Sequence, residues 1–135
     1  MCADRAAPAD IRPVVIVVDD DEALLAALRF SLDLDGLRVV AHRSADTVVA
    51  YTLPKTRACL VLDYRLPTLS GLDLLVDLRA AGVRLPAILV TSHANPEVRR
   101  QVRAVGAVLL EKPLLGDSLI TAIHAALAGS AAPGK

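Results

Sequence analysis

The sequence has very few aromatic side chains. Its 135 residues include no tryptophan, one phenylalanine and two tyrosines, although 54% of the chain is hydrophobic. A folded core must therefore consist of valine, leucine, isoleucine and alanine rather than of rings. A domain near this length buries about 68–70% of the surface of its unfolded chain, so the sequence has room for one core and not for two.

Three further absences narrow the class of protein. Fifteen basic and fifteen acidic side chains cancel, so no net field draws the chain to nucleic acid or to an acidic membrane, and neither is a predicted partner. No apolar run reaches the ~18 residues of a membrane span, and the N-terminus lacks the pattern of a signal peptide. The two cysteines, Cys2 and Cys59, do not suggest a disulfide framework. We predict a soluble protein of the cytoplasm.

Five short apolar runs, rich in β-branched residues, alternate with segments of helical periodicity. The runs are residues 14–18, 37–42, 58–62, 86–90 and 107–110. Apart from Arg38 and His42 in the second run, the runs are continuously apolar, which is typical of parallel strands covered by helices on both faces. The repeated alternation predicts an α/β fold with a doubly wound five-stranded parallel sheet and five helices.

Capping residues indicate where these helices begin and end. The first, third and fourth helical segments are each followed by a glycine, at a position where a left-handed residue commonly ends a helix. These glycines are Gly36, Gly82 and Gly106, and the predicted N-caps of the second, third and fourth segments are Ser44, Ser70 and Asn95.

The same signals set the expected domain boundaries. The final helix is expected to run from about 116 to 127. We predict a disordered N-terminal tail over 1–12, one domain over 13–128 and a C-terminal tail over 129–135. No second domain is expected, so any output should pass through a partner protein.

Polar side chains lie directly after the predicted strands. In a doubly wound sheet these positions share one edge, and ligands bind there. The residues are Asp19, Asp20, Asp63, Thr91, Ser92 and Lys112. Each of them alone is commonly a cap, a turn residue or a solvated charge, but their joint placement favours a site.

The three aspartates call for a cation. Carboxylates about 4 Å apart repel by roughly 4 kcal/mol per pair at an effective dielectric of 20, and oxygen ligands with room for water suit Mg²⁺ or Mn²⁺. Lys112 adds a movable positive charge, and Thr91 adds a hydroxyl. A carboxylate, a metal, a lysine and a hydroxyl together indicate phosphoryl transfer.

Four motifs carry a resemblance to a known family. VVIVVDDDEALL, LVLDYRLPTLSGLDLL, ILVTSHA and EKPLL, in this order and spacing, resemble the receiver domain of two-component response regulators over about residues 13–128. The resemblance is to single-domain receivers of the chemotaxis-regulator type. It implies a flavodoxin-like (βα)5 fold with strand order 2-1-3-4-5.

The resemblance also implies roles for individual residues. Asp63 is then the phosphoacceptor, and Thr91 and Lys112 are the hydroxyl and lysine that contact the phosphoryl group. The metal ligands implied are Asp19, Asp20, Asp63 and the main-chain carbonyl of Arg65. Pro113, which follows the lysine, matches a proline prone to a cis peptide bond. Asp21 has no site role in the family, and we predict that it caps the first helix.

The sequence departs from the family pattern at the switch position. The family usually has a tyrosine or phenylalanine three residues before the lysine, and this chain has Leu109, in a segment that is one residue shorter than usual. Two variable positions, Arg65 and His93, flank the path of an attacking water in the family. We expect the Arg65 side chain to slow hydrolysis of the phosphoryl group.

Three functions are compatible with these observations. The first is a signalling receiver that is phosphorylated by a histidine kinase or phosphotransfer protein, and that catalyses only its own phosphorylation and dephosphorylation. The second is a receiver-like interaction module that works independently of phosphorylation. The third is a phosphatase or phosphotransferase with an aspartyl nucleophile, which is disfavoured because no acidic residue lies two positions after Asp63.

The expected downstream partner binds the face formed by the fourth helix, fifth strand and fifth helix. Arg99, Arg100 and Arg103 on the fourth helix are predicted to form either a solvated face or a docking surface. We expect a monomer or a weak, phosphorylation-dependent dimer. His42, His93 and His124 are dispersed and predict no metal cluster.

Overall fold

The computed structural model describes residues 12–114 and 117–131. Within them lies a five-stranded parallel sheet of order β2-β1-β3-β4-β5, which confirms the predicted fold class and strand order. The strands are β1 (Val14–Val18), β2 (Arg38–His42), β3 (Ala58–Asp63), β4 (Ala87–Thr91) and β5 (Val108–Glu111). Each predicted strand agrees with the observed one to within one residue at either end.

Four α-helices accompany the sheet in the described ranges. They are α1 (Glu22–Leu34), α2 (Gly71–Ala80), α3 (Pro96–Ala104) and α4 (Ser118–Ala131). The predicted third, fourth and fifth helices are therefore α2, α3 and α4. None of the helices in these ranges is long and apolar enough to cross a membrane.

The predicted second helix is wrong. Two 3₁₀ turns, Ala45–Thr47 and Ala50–Thr52, occupy its place, and Ser44 makes no side-chain cap. The segment DTVVAYTLP contains four β-branched residues, which lose rotamer freedom in a helix, and its proline disfavours helical backbone at the preceding residue. Local sequence therefore opposes a continuous helix between β2 and β3.

The other predicted caps are confirmed. Asp21 accepts hydrogen bonds from the N–H groups of Ala23 and Leu24 at 3.0 and 3.2 Å. Ser70 caps α2 through the N–H of Asp73, and Asn95 caps α3 with Pro96 at its first position. The three predicted terminal glycines have positive φ angles. These bonds satisfy N–H groups that a helix start leaves without partners.

The predicted tails fall mostly outside the described residues. Two differences lie inside them: α4 continues to Ala131, so residues 129–131 are helical, and Arg12 forms an ion pair of 2.9 Å with Asp33. A glycine inside a helix costs only about 1 kcal/mol, and the alanines around Gly129 favour helix, which is why α4 outlasts the predicted end.

Alternate strand residues face two separate layers of the core. Ile16, Leu60 and Leu89 belong to the layer that packs with α2 and α3. The residues that alternate with them along each strand, such as Val17 and Val61, pack with α1 and α4. Full burial of each such side chain contributes about 1.5–3 kcal/mol, so this aliphatic core holds the sheet and positions the ends of its strands.

Candidate functional site

Three carboxylates meet at the carboxyl edge of the sheet. Asp19 and Asp20 follow β1, and Asp63 is the last residue of β3, which pairs with β1 in parallel register. One ligand oxygen from each lies within 4.8 Å of the others. Asp19 and Asp63 are only 4% and 8% exposed, whereas Asp20 is exposed. The strands therefore bring together the three aspartates that the sequence singled out.

The environment of Asp19 disfavours its charged form. Burial is the main cause that raises the pKa of this carboxyl above its ordinary value of 3.8, and the charges of Asp63 and Asp20 raise it further. The N–H of Asp21, which donates to Asp19 Oδ1 at 2.9 Å, is the next strongest influence after burial and lowers the pKa, as does the charge of Lys112, but the pKa stays raised. A bound cation would remove the conflict.

The donor set fits a hard divalent cation. Carboxylate oxygens that are partly buried on one side and open to water at Asp20 suit Mg²⁺ or Mn²⁺, which keep several water ligands. The residues that would hold it are Asp19, Asp20 and Asp63. The N–H of Arg65 is 3.4 Å from Asp63 Oδ1, and the role of its carbonyl as a fourth ligand stays a prediction.

Lys112, which follows β5, places an ammonium group near the Asp63 carboxylate. Its Nζ lies 3.5 Å from Asp63 Oδ1, and its side chain is 29% exposed. The backbone N–H of Lys112 donates to the carbonyl of Thr91 at 2.7 Å, and the Lys112–Pro113 peptide bond is cis, as expected. The separation is long for a direct hydrogen bond, so an anion attached to Asp63 would find the ammonium group within reach.

Thr91 supplies a buried hydroxyl on the neighbouring strand. It follows Val90, the register partner of Asp63, and is 5% exposed. Its Oγ1 accepts a hydrogen bond from the N–H of His93 at 3.2 Å, so the hydroxyl is engaged with the loop that leads to α3. Ser92 and His93 are exposed residues of this loop.

Gly71 is a site residue whose importance the sequence did not reveal. A Cβ at this position would lie 2.3 Å from the carbonyl oxygen of Asp63 and 3.0 Å from a methyl of Leu89. Its N–H donates to the carbonyl of Tyr64 at 2.9 Å. Only glycine lets α2 begin this close to the phosphoacceptor candidate.

Leu109 lies in β5 beside Leu89 and is half-buried. It packs with the core layer that includes Val98 and Val102 of α3. Aliphatic packing, rather than a ring, therefore joins β5 to α3 at the position where the family usually has an aromatic residue.

None of the three histidines belongs to the group of carboxylates that could hold a metal. His42 Nδ1 is 2.7 Å from Thr47 Oγ1, and burial lowers its pKa. His124 interacts with Asp35, and His93 is exposed. In the described residues, the only group that could hold a metal is that of Asp19, Asp20 and Asp63.

Comparison with known proteins identifies the family. The family model of the response regulator receiver domain matches residues 15–124, so the chain belongs to this family of two-component system domains. Receiver domains interact with histidine kinases or other phosphodonors, and they generally bind Mg²⁺ through an acidic cluster such as the one formed by Asp19, Asp20 and Asp63.

Curated relatives are longer than this chain. The transcriptional regulatory protein FixJ of Azorhizobium caulinodans is 38% identical over 122 residues, which are 90% of this chain and 58% of FixJ. Nodulation protein W of Bradyrhizobium diazoefficiens is 37% identical over 119 residues, 87% of this chain and 52% of that protein. The chain thus spans about half the length of the curated relatives it matches.

Solved structures agree with the fold. The response regulator StyR superposes with a TM-score of 0.81 at 33% identity, over 89% of this chain and 61% of StyR. A CheY-like receiver domain protein from Methanospirillum hungatei superposes with a TM-score of 0.79 at 24% identity, over 88% of this chain and 96% of that one. The second likeness concerns the fold alone.

Replacing Asp19 by asparagine should stabilise the metal-free protein at neutral pH. The substitution removes a buried charge and its repulsion from two carboxylates, each repulsion being worth roughly 3–4 kcal/mol at an effective dielectric of 20, and it also removes the partly offsetting attraction to Lys112. The amide oxygen of asparagine can still accept from the N–H of Asp21. Because the folded-state pKa of Asp19 is raised, the parent loses stability as pH rises from about 4 through that pKa. The stability of Asp19→Asn relative to the parent should therefore increase over the same pH range.

Thermal unfolding with and without Mg²⁺ measures this effect. Mg²⁺ should raise the melting temperature of the parent and of Asp77→Asn, an exposed carboxylate of α2 outside the site, but not that of Asp19→Asn. A variant that is less stable than the parent without metal at pH 7 would contradict the electrostatic account.

Gly71→Ala should destabilise the fold and displace Asp63. The added methyl group meets the Asp63 backbone at 2.3 Å, and overpacking of this kind costs about 1–3 kcal/mol. Gly129→Ala in α4, where nothing lies within 4 Å of the added methyl group, is the control and should be neutral or stabilising. Urea unfolding monitored by circular dichroism measures both, and equal stabilities of the two variants would refute the prediction.

Proposed function

We propose that Asp63 accepts a phosphoryl group from the phosphohistidine of a histidine kinase or phosphotransfer protein, in a Mg²⁺-dependent reaction. The observation that carries the proposal is the position of the Asp63 carboxylate between two acidic neighbours within 4.8 Å and an ammonium group at 3.5 Å. Such an arrangement places positive charge on both sides of an incoming phosphoryl group once a cation is bound.

The residues of the chain perform the transfer mainly by positioning and charge. An Asp63 carboxylate oxygen forms the new O–P bond as the N–P bond of the donor histidine breaks. A bound Mg²⁺ would supply Lewis-acid neutralisation of the phosphoryl oxygens. Lys112 pairs with a phosphoryl oxygen, and burial of Asp63 to 8% exposure limits the approach of water to the new acyl phosphate. The domain thus catalyses only its own phosphorylation and dephosphorylation.

The switch begins at Thr91. The phosphoryl group adds about −1.5 to −2 charges, which attract the Thr91 hydroxyl away from the N–H of His93, its donor at 3.2 Å. Because His93 lies in the loop before α3, the movement changes the start of α3. Shifting the ratio of two conformations of the domain from 1:99 to 99:1 requires about 5.5 kcal/mol of differential stabilisation. Charge-assisted bonds from the phosphoryl group to Thr91 and Lys112, together with a metal, can supply this amount.

Signalling then passes through the surface of α3, β5 and α4 to a downstream partner protein in the cytoplasm. Because Leu109 stands where the family usually has an aromatic residue, coupling of the threonine to a ring is not available. The structural change therefore passes through the loop at 92–95 and through Val98 and Val102 of α3, which belong to the same core layer as Leu109. A second candidate function follows from the same residue: a receiver-like module that binds its partner without phosphorylation.

Incubation with a small acyl phosphate and Mg²⁺ should add the mass of one phosphoryl group to the intact protein. The gain should be absent in Asp63→Asn and in samples with a chelator, whereas Asp73→Asn, an exposed carboxylate of α2, should be modified like the parent. Intact-protein mass spectrometry measures the gain. No gain at any Mg²⁺ concentration would reject the phosphoacceptor role and favour the phosphorylation-independent module.

Arg65→Ala should shorten the lifetime of phospho-Asp63. The Arg65 side chain is exposed, two residues after Asp63, with no ion-pair partner in the described part of the chain. A solvent-exposed charge pair with a phosphoryl oxygen is worth about 0.4–1 kcal/mol, so decay should accelerate about two- to fivefold. Arg84→Ala, at the amino edge of the sheet, is the matched control, and an unchanged or slower decay in Arg65→Ala removes the hypothesis.

A further inference from the structure

A cleft of about 530 Å³ lies at the amino edge of the sheet, where β3 and β4 begin. Residues 50–55 of the β2–β3 connection form one wall of this amino-edge cleft, and residues 81–84 of the α2–β4 loop form the other. The connection carries two short 3₁₀ turns in place of the predicted helix. Pockets that hold small molecules have volumes of about 300–1,000 Å³, so the amino-edge cleft has the size of a small-ligand site.

The walls of the amino-edge cleft are mostly apolar. Leu53 and Pro54 contribute from the connection, and the buried Val83 contributes from the loop. Tyr51 is 90% exposed, so its ring faces solvent rather than the core. An exposed ring beside aliphatic side chains offers a surface on which a flat apolar group can stack.

Two cations without partners line the same cleft. Lys55 and Arg84 are exposed, and neither side chain forms a hydrogen bond or an ion pair in the described part of the chain. Among the described residues that line the cleft, none is an aspartate or a glutamate. The amino-edge cleft therefore carries positive charge that its own walls do not neutralise.

Arg79, in the last turn of α2, adds positive charge next to the cleft. Its Nη1 donates to the carbonyls of Val83 and Leu85 at 3.1 and 2.7 Å, and both of these partners are neutral. Burial lowers the pKa of Arg79, and the charge of Arg84 lowers it further, so the two guanidinium groups lie close enough to repel one another. An anion bound beside Arg84 would offset this repulsion.

The end of α2 does not account for the free cations. A helix C-terminus carries a partial negative charge that favours cations, but Arg79 already supplies one there. The carbonyls of Leu78 and Arg79 also accept hydrogen bonds from the N–H groups of Val83 and Gly82, at 2.9 and 3.0 Å. Lys55 and Arg84 are thus available to a ligand.

The shape and charge of the cleft distinguish between classes of anion. Proteins that bind nucleic acid commonly neutralise about 6–10 phosphates, whereas this cleft has two free cations in a small space. An inorganic anion would pair with the cations but would leave the Tyr51 ring and the aliphatic walls uncovered. A small molecule with both an apolar and an anionic part uses the whole cleft.

We propose that the amino-edge cleft binds a small molecule in which a flat apolar ring carries one anionic group. The ring stacks on Tyr51 and contacts Leu53, and the anionic group pairs with Lys55 and Arg84. The cleft lies at the opposite edge of the sheet from Asp63, so the proposal goes beyond the phosphoacceptor function and does not depend on it.

Titration of the full chain with 2-naphthoate, followed by two-dimensional ¹H–¹⁵N NMR, tests the proposal. Without Mg²⁺ or acyl phosphate, the amide shifts should saturate and should centre on residues 50–55 and 81–84. The same amides should respond to 2-naphthyl phosphate, since ammonium and guanidinium groups pair with either anion, and the ratio of the two affinities identifies the preferred anionic group. Both affinities should fall as salt is added.

Charge reversal locates the anionic group. The double variant Lys55→Glu with Arg84→Glu should weaken the binding of 2-naphthoate about tenfold or more, because repulsion replaces two attractions. The matched control, Arg100→Glu with Arg103→Glu, changes the net charge equally at two exposed positions of α3, and its affinity should stay within about twofold of the parent.

Removal of a ring locates the apolar part. Tyr51→Ala should weaken the binding of 2-naphthoate about two- to tenfold, because the stacked pair is lost. Phe30→Ala removes another exposed ring, on α1, and should bind as the parent does. All of the substituted side chains are exposed, and circular dichroism of each variant checks that it is folded.

Three results would overturn the proposal. They are equal binding of the cationic analogue 2-naphthylmethylammonium, equal losses in the two double variants, and shifts that fail to saturate or that centre outside the amino-edge cleft. Asp63→Asn should bind 2-naphthoate as the parent does. Failure of the phosphoacceptor function would therefore leave this result unchanged, and the two proposals can fail separately.

Discussion

The repulsion among Asp19, Asp20 and Asp63 is the constraint around which the rest of the molecule is arranged. Their ligand oxygens lie within 4.8 Å of one another, and burial already raises the pKa of Asp19. A fold holds such a group only when the stability comes from elsewhere. Here it comes from two aliphatic layers on either side of the sheet, which keep the strand ends together whatever the charge at the edge. A cation bound among the three carboxylates would relieve this unfavourable charge.

The side chains that can interact with this negative charge, those of Thr91 and Lys112, lie at the ends of β4 and β5. Lys112 Nζ lies 3.5 Å from Asp63 Oδ1, and the backbone N–H of Lys112 donates to the backbone carbonyl of Thr91, so the two residues are joined through their main chains at the edge of the site. The Thr91 hydroxyl is held by the loop before α3. In the proposed function, a change of charge at Asp63 would therefore act first on the β4–α3 loop and on β5. Leu109 packs against α3 without a ring, which makes that loop the direct connection between the acidic edge and the surface of α3.

Much of this arrangement was predictable, and the failures have local causes. The strand positions follow from continuous apolar runs, and the caps Asp21, Ser70 and Asn95 follow from side chains that compete for helix N–H groups. The segment after β2 resisted prediction because the strand and helix alternation suggested a helix, while its β-branched residues and proline favour 3₁₀ turns. The role of Gly71 could not be predicted because a glycine at the start of a helix usually signals a turn. Only the packing of α2 against β3 shows that a methyl group at this position would collide with the Asp63 backbone.

The sequence by itself determined the chemistry and the order of elements: three carboxylates, a hydroxyl and a lysine placed after apolar strands, with membership of the receiver family visible in the spacing of four motifs. These are local properties, since strand periodicity and capping depend on neighbours a few residues away. The tertiary structure decided the distances between the carboxylates, the closeness of α2 to Asp63, and the packing of Leu109 in the core layer of α3. Those features join residues that are tens of positions apart, and they depend on how the two core layers pack, which no short stretch of the chain encodes.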